Sequence, residues 1–405
     1  MRLTLPSGPV HLTYCTNVHR GESWADIFAA LQRHLPAVKH QTSPHSPLGV
    51  GLRLSAIAAE ALETPAELDS LRRFLADEEL YVFTINGFPY GPFHGERVKE
   101  QVYAPDWRAP ERLAYTDRLA SLLASLLPGD QPGLTGSVST VPGAFLDAAS
   151  CLGACEAIAE ALLRHAAHLV ALERRTGRCI TLALEPEPMC LMETTAEAVG
   201  FFEGHLFTTQ AAARLAALSG CAPSHAETLL RRHLGLCLDV CHAAVEFETP
   251  TESLDLLRAA GVAVMKLQLS SALVVPRMDA AAAAMLRRFD DGVYLHQVVE
   301  RGPDGLARFL DLPDALTAWH NGAKHGQEWR VHCHVPVFHD APLGCFATTQ
   351  PTLLDMLARQ RDSGISPHLE IETYTWDVLP PELRTGGLDA AIAREIAWVR
   401  DRLAA

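Results

Sequence analysis

The chain has 405 residues, 48% of them hydrophobic, enough to bury a large core, and a closed α/β barrel with insertions accommodates residues 1–405 as one domain. A net charge of −14 argues against nucleic acid as a partner, because phosphate affinity comes from clustered Lys and Arg. No apolar run reaches the ~18 residues needed to span a bilayer. Residues 1–12 show no secretory pattern, and the ten cysteines form no CxxC pair, so reduced thiols in a cytoplasmic protein are expected.

Short apolar runs alternate with longer helical patterns. In chain order the strand candidates cover residues 11–17, 49–55, 80–86, 136–141, 180–185, 234–239, 262–270 and 369–374. Eight such runs separated by helices predict a (β/α)8 barrel. Residues 1–10 are expected to form a hairpin with the first run. After Ser23, a candidate N-cap, Trp24, Ile27, Phe28, Leu31, Leu35 and Val38 recur at helical spacing, and Leu388, Ile392, Ile396, Val399 and Leu403 do so near the other end. Two long insertions interrupt the alternation, at about 87–112 after the third run and about 271–345 after the seventh. The second holds a hairpin pattern turning at Pro303-Asp304-Gly305 and a surplus strand pattern, Arg330–Phe338.

Barrel chemistry sits at the C-terminal ends of the strands, and those ends are acidic. The fifth run ends at Glu185, the sixth at Asp239, the seventh near Gln268, and the eighth carries Glu370 and Glu372. Carboxylates converging in a dry barrel mouth repel one another, and a divalent cation resolves that repulsion. Glu185, Asp239, Gln268 and Glu372 are therefore the candidate metal ligands. His242 follows Asp239 by three residues, and His332 and His334 alternate at period two, so these three are further candidate ligands or acid/base groups. Asn86, Phe88, His94, Lys266 and His334 are the candidate substrate contacts, with Asn17 and Arg53 as orienting residues. Phe88, Tyr90, Phe93, Tyr103 and Trp107 make the loop after the third run rich in rings, which either stack on a ligand or form the loop's own core.

The order of these motifs resembles the xylose-isomerase-like TIM barrels, which include sugar epimerases and endonuclease IV enzymes. Leu184-Glu185-Pro186, Leu238-Asp239-Val240-Cys241-His242 and Ile371-Glu372-Thr373 carry the likeness. Within that group the chain is most similar to the EboE family of metabolite traffic proteins. Thr84-Ile85-Asn86-Gly87-Phe88-Pro89-Tyr90-Gly91, Phe93-His94-Gly95, Val98-Lys99-Glu100, Tyr103-Ala104-Pro105-Asp106-Trp107, His332-Cys333-His334-Val335-Pro336 and Glu372-Thr373-Tyr374-Thr375-Trp376 resemble its motifs. The resemblance implies a divalent metal (Mn, Zn, Mg or Co) and an isomerase or epimerase acting on a hydroxy-carbonyl, sugar or polyol-like small molecule. Glu185 and Glu372 would then be its proton-transfer residues. It also implies two alternatives: a non-catalytic traffic component that docks on a membrane-protein partner in an export system, and a zinc phosphoesterase of the endonuclease IV type. Two departures stand out. Gln268 replaces the usual histidine of the seventh strand, and the extra histidines of a trinuclear zinc site are missing after the second and third strands.

Overall fold

The computed structural model of the chain describes residues 1–94, 97–129, 131, 133–146, 152–322, 327–341, 344–384 and 386–405; Gly95 of one sequence motif and Cys151 lie outside the described residues. An N-terminal strand β1 (Arg2–Leu5) turns back onto β2 (Gly8–Tyr14) with Leu5 opposite Gly8, as the hairpin pattern predicts. From β2 the sheet runs in parallel through β14 (His368–Ile371), β8 (Val264–Leu269), β7 (Leu234–Asp239), β6 (Ile180–Leu184), β5 (Gly136–Thr140), β4 (Leu80–Asn86) and β3 (Leu48–Arg53). The seam between β3 and β2 closes through a parallel bridge, Cys15 to Gly51. There Thr13 Oγ1 donates to the Gly49 carbonyl at 2.7 Å and accepts from Gly51 N at 3.0 Å. These are the eight predicted strands, each within a few residues of its sequence bounds.

Every residue of β3 to β7 is buried. A parallel strand covered by neighbours on both faces needs an unbroken apolar run, which is why these segments stand out in the sequence. Helices pack outside. The helix Trp24–Thr42 starts where Ser23 Oγ accepts from Asp26 N, and its buried face is Trp24, Ile27, Leu31, Leu35 and Val38. Inside the barrel space is tight: a Cβ on Gly51 would lie 1.8 Å from Glu370 Oε2, so the buried glutamate depends on that glycine. Among the described residues no helix is long and apolar enough to cross a membrane, and the nine described cysteines are free.

Between β8 and β14 the chain builds a second, antiparallel sheet in the order β11-β10-β12-β9-β13, from β9 (Leu273–Val275), β10 (Val298–Gly302), β11 (Gly305–Phe309), β12 (Glu328–Val331) and β13 (Ala347–Thr348). The hairpin turns between Gly302 and Gly305, as expected. One expectation needs correction. The surplus strand stops at Val331 instead of running to Phe338, because Cys333 N bonds back to the Val331 carbonyl and turns the chain out of the ladder. That turn aims the next residues at the barrel mouth. The loop after β4 docks on this insertion beside the sheet: Val98 N and Lys99 N both donate to the Val293 carbonyl, at 2.9 and 3.0 Å, and Lys99 pairs with Asp311.

Candidate metal centre

The C-terminal ends of β6, β7, β8 and β14 meet at the mouth. Glu185 follows β6, Asp239 ends β7, Gln268 lies opposite Asp239 on β8, and Glu372 follows β14. All four are buried. Glu185, Asp239 and Glu372 each bring a carboxylate oxygen within 4.8 Å of the other two. Asp239 and Glu372 are also held on one side. Asn17 and Asn86 donate to Glu372 Oε1 at 2.7 and 3.0 Å. Ser270 Oγ and His242 N donate to Asp239 Oδ1 at 2.6 and 3.1 Å. Four buried atoms here have no hydrogen-bond partner among the described residues: Glu185 Oε2, Asp239 Oδ2, and both amide atoms of Gln268. Buried polar atoms in folded proteins are almost always satisfied, so four orphans in one place are a specific signal.

The electrostatics agree. Burial, then Glu372 and Asp239, push the Glu185 carboxyl well above its usual range. Burial, then Asp239 and Glu370, raise Glu372 to about 8. Burial acts upward on Asp239 as well, but His242, His334 and the Ser270 hydroxyl together hold it below its ordinary value. The mouth therefore relieves its like-charge repulsion by keeping protons on Glu185 and Glu372, the protons that a bound cation would displace.

Three imidazoles adjoin the acids. His242 Nδ1 faces the Pro186 carbonyl at 2.9 Å, His334 Nδ1 the Glu372 carbonyl at 2.9 Å, and His332 Nδ1 the Gln297 Oε1 at 2.8 Å. Each partner is an oxygen, so each Nδ1 is placed to donate and each Nε2 is left for another partner. This outward anchoring is what orients ligating histidines at metal sites. The Nε2 atoms of His332 and His334 stand 3.3 Å apart, close to the ~3.3 Å that two imidazole nitrogens subtend on one tetrahedral ion at about 2.0–2.1 Å. Burial works against charge on His242, but Asp239, Glu187 and Glu372 raise it above the ordinary histidine range. Burial, then the neighbouring imidazoles His242 and His334, hold His332 well below the ordinary histidine range. His334 is lowered to about 4, again mainly by burial. Glu187 joins this cluster: with His242 and His332 it forms a set of ligand atoms within 4.8 Å, as Asp239 does with His242 and His334.

A pocket opens onto both clusters, lined at its floor by Asn17, Asn86, Glu185, Glu187, His242, His332 and Glu372. Asn86 and Phe88 are there as expected. Lys266 is not: its ammonium is fully buried one layer down, 2.6 Å from Glu370 Oε1 in an ion pair off hydrogen-bond alignment, and 3.2 Å from Ser139 Oγ. Burial would lower its pKa, but Glu370 raises it overall. A substrate contact by Lys266 is therefore not met, because a side chain two residues back along β8 points into the layer below. His94 is also committed elsewhere, with Nε2 on the Asn17 carbonyl at 2.6 Å and Nδ1 on the Tyr294 hydroxyl at 2.8 Å. Arg53 is tied up by Glu22 and the Gly21 and Gly91 carbonyls. The ring-rich loop divides: Phe88, Phe93 and Tyr103 line the pocket, whereas Tyr90 packs on Tyr115 and Trp107 bonds Thr140.

Sequence reasoning missed Glu187, Gln297, Tyr294 and Tyr374. Glu187 had a signal, since it repeats Glu185 two residues on in Glu185-Pro186-Glu187-Pro188. Gln297 and Tyr294 had none, because the inserted sheet brings them in from far along the chain.

With this geometry in hand, the closed parallel barrel and its mouth can be set beside known structures. A xylose isomerase-like TIM barrel protein from Mycobacterium smegmatis in complex with magnesium aligns over 97% of this chain and 96% of its own, with a TM-score of 0.51 at 12% identity. The fold is a xylose isomerase-like TIM barrel. IolI protein with a bound zinc atom (14% identity, 97% and 98% covered, TM-score 0.48) and the probable 3-DHS dehydratase AsbF from Bacillus anthracis (12%, 96% and 98%, 0.46) are further structural neighbours. No protein-family model and no curated protein sequence matches the chain. Likeness at this identity speaks for the fold; the metal reading stands on the orphaned donors of this TIM barrel.

Proposed function

We propose that this TIM barrel is a divalent-metal-dependent isomerase or epimerase acting on a hydroxy-carbonyl, sugar or polyol-like small molecule. One observation carries the reading: Glu185 and Asp239 leave buried, partnerless oxygens in a cluster with the Glu372 carboxylate, and the partnerless Gln268 amide lies in register beside Asp239. Three carboxylates and an amide would hold the ion, a donor set suited to Mn, Mg or Co as well as Zn. When bound, such a cation supplies Lewis acidity toward adjacent oxygens of a substrate. The rest falls to the protein. Asn17 and Asn86 fix the Glu372 carboxylate, and Glu185 and Glu372 both line the pocket, which supports the proton-transfer roles that the resemblance assigns to them. Setting the reaction in a cytoplasmic biosynthesis or export pathway rests on the resemblance to metabolite traffic proteins alone.

The imidazole cluster supports a second reading, a two-ion phosphoesterase, with His242, His332 and His334 holding a second cation beside Glu187 or Asp239. The pocket weighs against a polyanionic substrate: among its described lining residues, Lys99 is the one Lys or Arg, and it is neutralised by Asp311. A non-catalytic carrier has less support, since a carrier has no use for orphaned ligand atoms.

The test combines elemental analysis of the purified protein with deuterium wash-in from D2O into a panel of ketoses and 2-hydroxy ketones, for wild type and Glu372→Gln. Metal at one or two equivalents, with wash-in that Glu372→Gln abolishes, is the expected result. A wild-type protein that binds no divalent ion would overturn the enzyme reading and leave the carrier.

A further inference from the structure

The pocket is chemically two-sided. Its floor comes from the barrel and from His332, and consists of carboxylates, imidazoles and two asparagines. Its outer wall comes from the two insertions, and there the lining side chains include Phe88, Phe93, Val98, Val102, Tyr294 and Leu295. The few polar groups on that wall are already used. The Tyr294 hydroxyl donates to His94 Nδ1, the Tyr103 hydroxyl donates to Glu187 Oε1 at 2.8 Å, and the Lys99 ammonium is held by Asp311. The rings are also braced in place: Phe93 sits 5.3 Å from Tyr294 and 5.4 Å from Tyr374, centroid to centroid, and Phe88 packs edge-on to Tyr103 at 5.7 Å. The wall is a preformed, mostly apolar surface, and beside it the Tyr374 hydroxyl, from the end of the barrel, is the remaining side-chain hydroxyl of the lining.

That composition discriminates between ligands. A hexose or inositol filling the pocket would press hydroxyls on its far side against this wall, and each buried hydroxyl without a partner costs roughly 1–3 kcal/mol. Methylene or ring carbons in the same place lose nothing and gain by leaving water. An occupant whose oxygens are all at one end suits both sides of the pocket.

We propose that the ligand of this site is amphipathic: an oxygenated head, with adjacent hydroxyl and carbonyl oxygens at the acid and imidazole floor, and an apolar tail against the wall formed by the two insertions. The proposal rests on the metal reading for the head; the tail depends only on the wall.

Alkyl hydroxamates test the two halves separately, because their head chelates divalent ions and their chain length can be varied. Acetohydroxamate, butyrohydroxamate, hexanohydroxamate and octanohydroxamate would be titrated by calorimetry into Mn²⁺-loaded, Zn²⁺-loaded and metal-stripped protein. The expected result is affinity rising about two- to fourfold per added methylene, with loss of acetohydroxamate binding on metal removal. Val102→Asn and Leu295→Asn should flatten the gradient; Val102 is only partly buried, so Val102→Thr serves if Leu295→Asn fails to fold. Equal affinity for short and long chains in wild type overturns the amphipathic ligand while leaving the metal reading standing. A chain-length gradient that is the same with and without metal, and that the wall variants flatten, supports the tail and overturns the metal-bound head. Binding that rises with length but ignores both wall variants overturns the placement of the tail, and no binding by any member overturns both halves.

Discussion

Two layers of the same barrel handle buried charge in opposite ways. Lys266 and Gln268 stand two residues apart on β8, and Glu370 and Glu372 two residues apart at the end of β14. In the lower layer Lys266 and Glu370, both fully buried, neutralise each other at 2.6 Å. In the upper layer Glu372 meets Glu185, Asp239 and a neutral amide, with no cationic side chain among them. The lower layer is neutralised by its own ion pair; the upper one relieves its repulsion by holding protons on its acids, in a place where a divalent cation could stand instead. A buried carboxylate is thus not in itself a sign of function, and what distinguishes the site is the missing counter-charge.

This contrast can be broken by experiment. The largest effect is expected from Lys266→Met, which strands Glu370 without a partner and should cost about 3–5 kcal/mol in chemical denaturation, whatever the metal content. Lys266→Met combined with Glu370→Leu should recover most of that loss; if it does not, the pair is not a closed unit. In the upper layer, a divalent ion at about a hundred times its Kd should stabilise the wild type by about 2.7 kcal/mol, reversibly with chelator. Thermal scans with Mn²⁺, Zn²⁺ and EDTA check this, and unchanged melting temperatures would remove the distinction between the layers. Smaller, and opposite in sign to Lys266→Met, Glu185→Gln should stabilise the metal-free protein by about 1 kcal/mol through relief of like-charge repulsion, while lowering metal affinity at least tenfold in competition titrations.

The smallest expected effect is on pH dependence. Glu372 titrates at about 8 in the fold against 4.5 when unfolded, so the native state binds the extra proton and stability of the metal-free protein falls as pH rises through that window. His334, lowered from 6.5 to about 4, loses stability as pH falls and so opposes the trend below pH 6.5. The decisive range is therefore pH 6.5 to 8. There the metal-free wild type should lose stability and Glu372→Gln should lose less; parallel curves would sink the assignment.

Much of the barrel was readable in advance because a parallel strand covered on both faces must be apolar throughout, and because each such run ends abruptly in a polar residue. Glu185, Asp239, Gln268 and Glu372 were legible as a set for that second reason. Lys266 misled because period two gives the face of a strand but not the depth of a residue within the barrel. The segment Arg330–Phe338 misled because alternation continues in sequence after the ladder ends at Val331. Glu187 was half visible in its Glu-Pro repeat, whereas Gln297, which orients His332, had no local signature.

The sequence by itself determined the eight-strand alternation, the hairpin at Gly302–Gly305 and which acids end which strands. All of these follow from periodicity and turn chemistry over a few neighbouring residues. Only the tertiary structure decided which carboxylate is paired and which is left open, that His332 and His334 turn their Nε2 atoms toward each other beside His242, and that two distant insertions meet over the mouth as an apolar wall. Those outcomes depend on distances between side chains far apart in the chain, and Coulomb energy and desolvation are set by such distances rather than by order along the sequence.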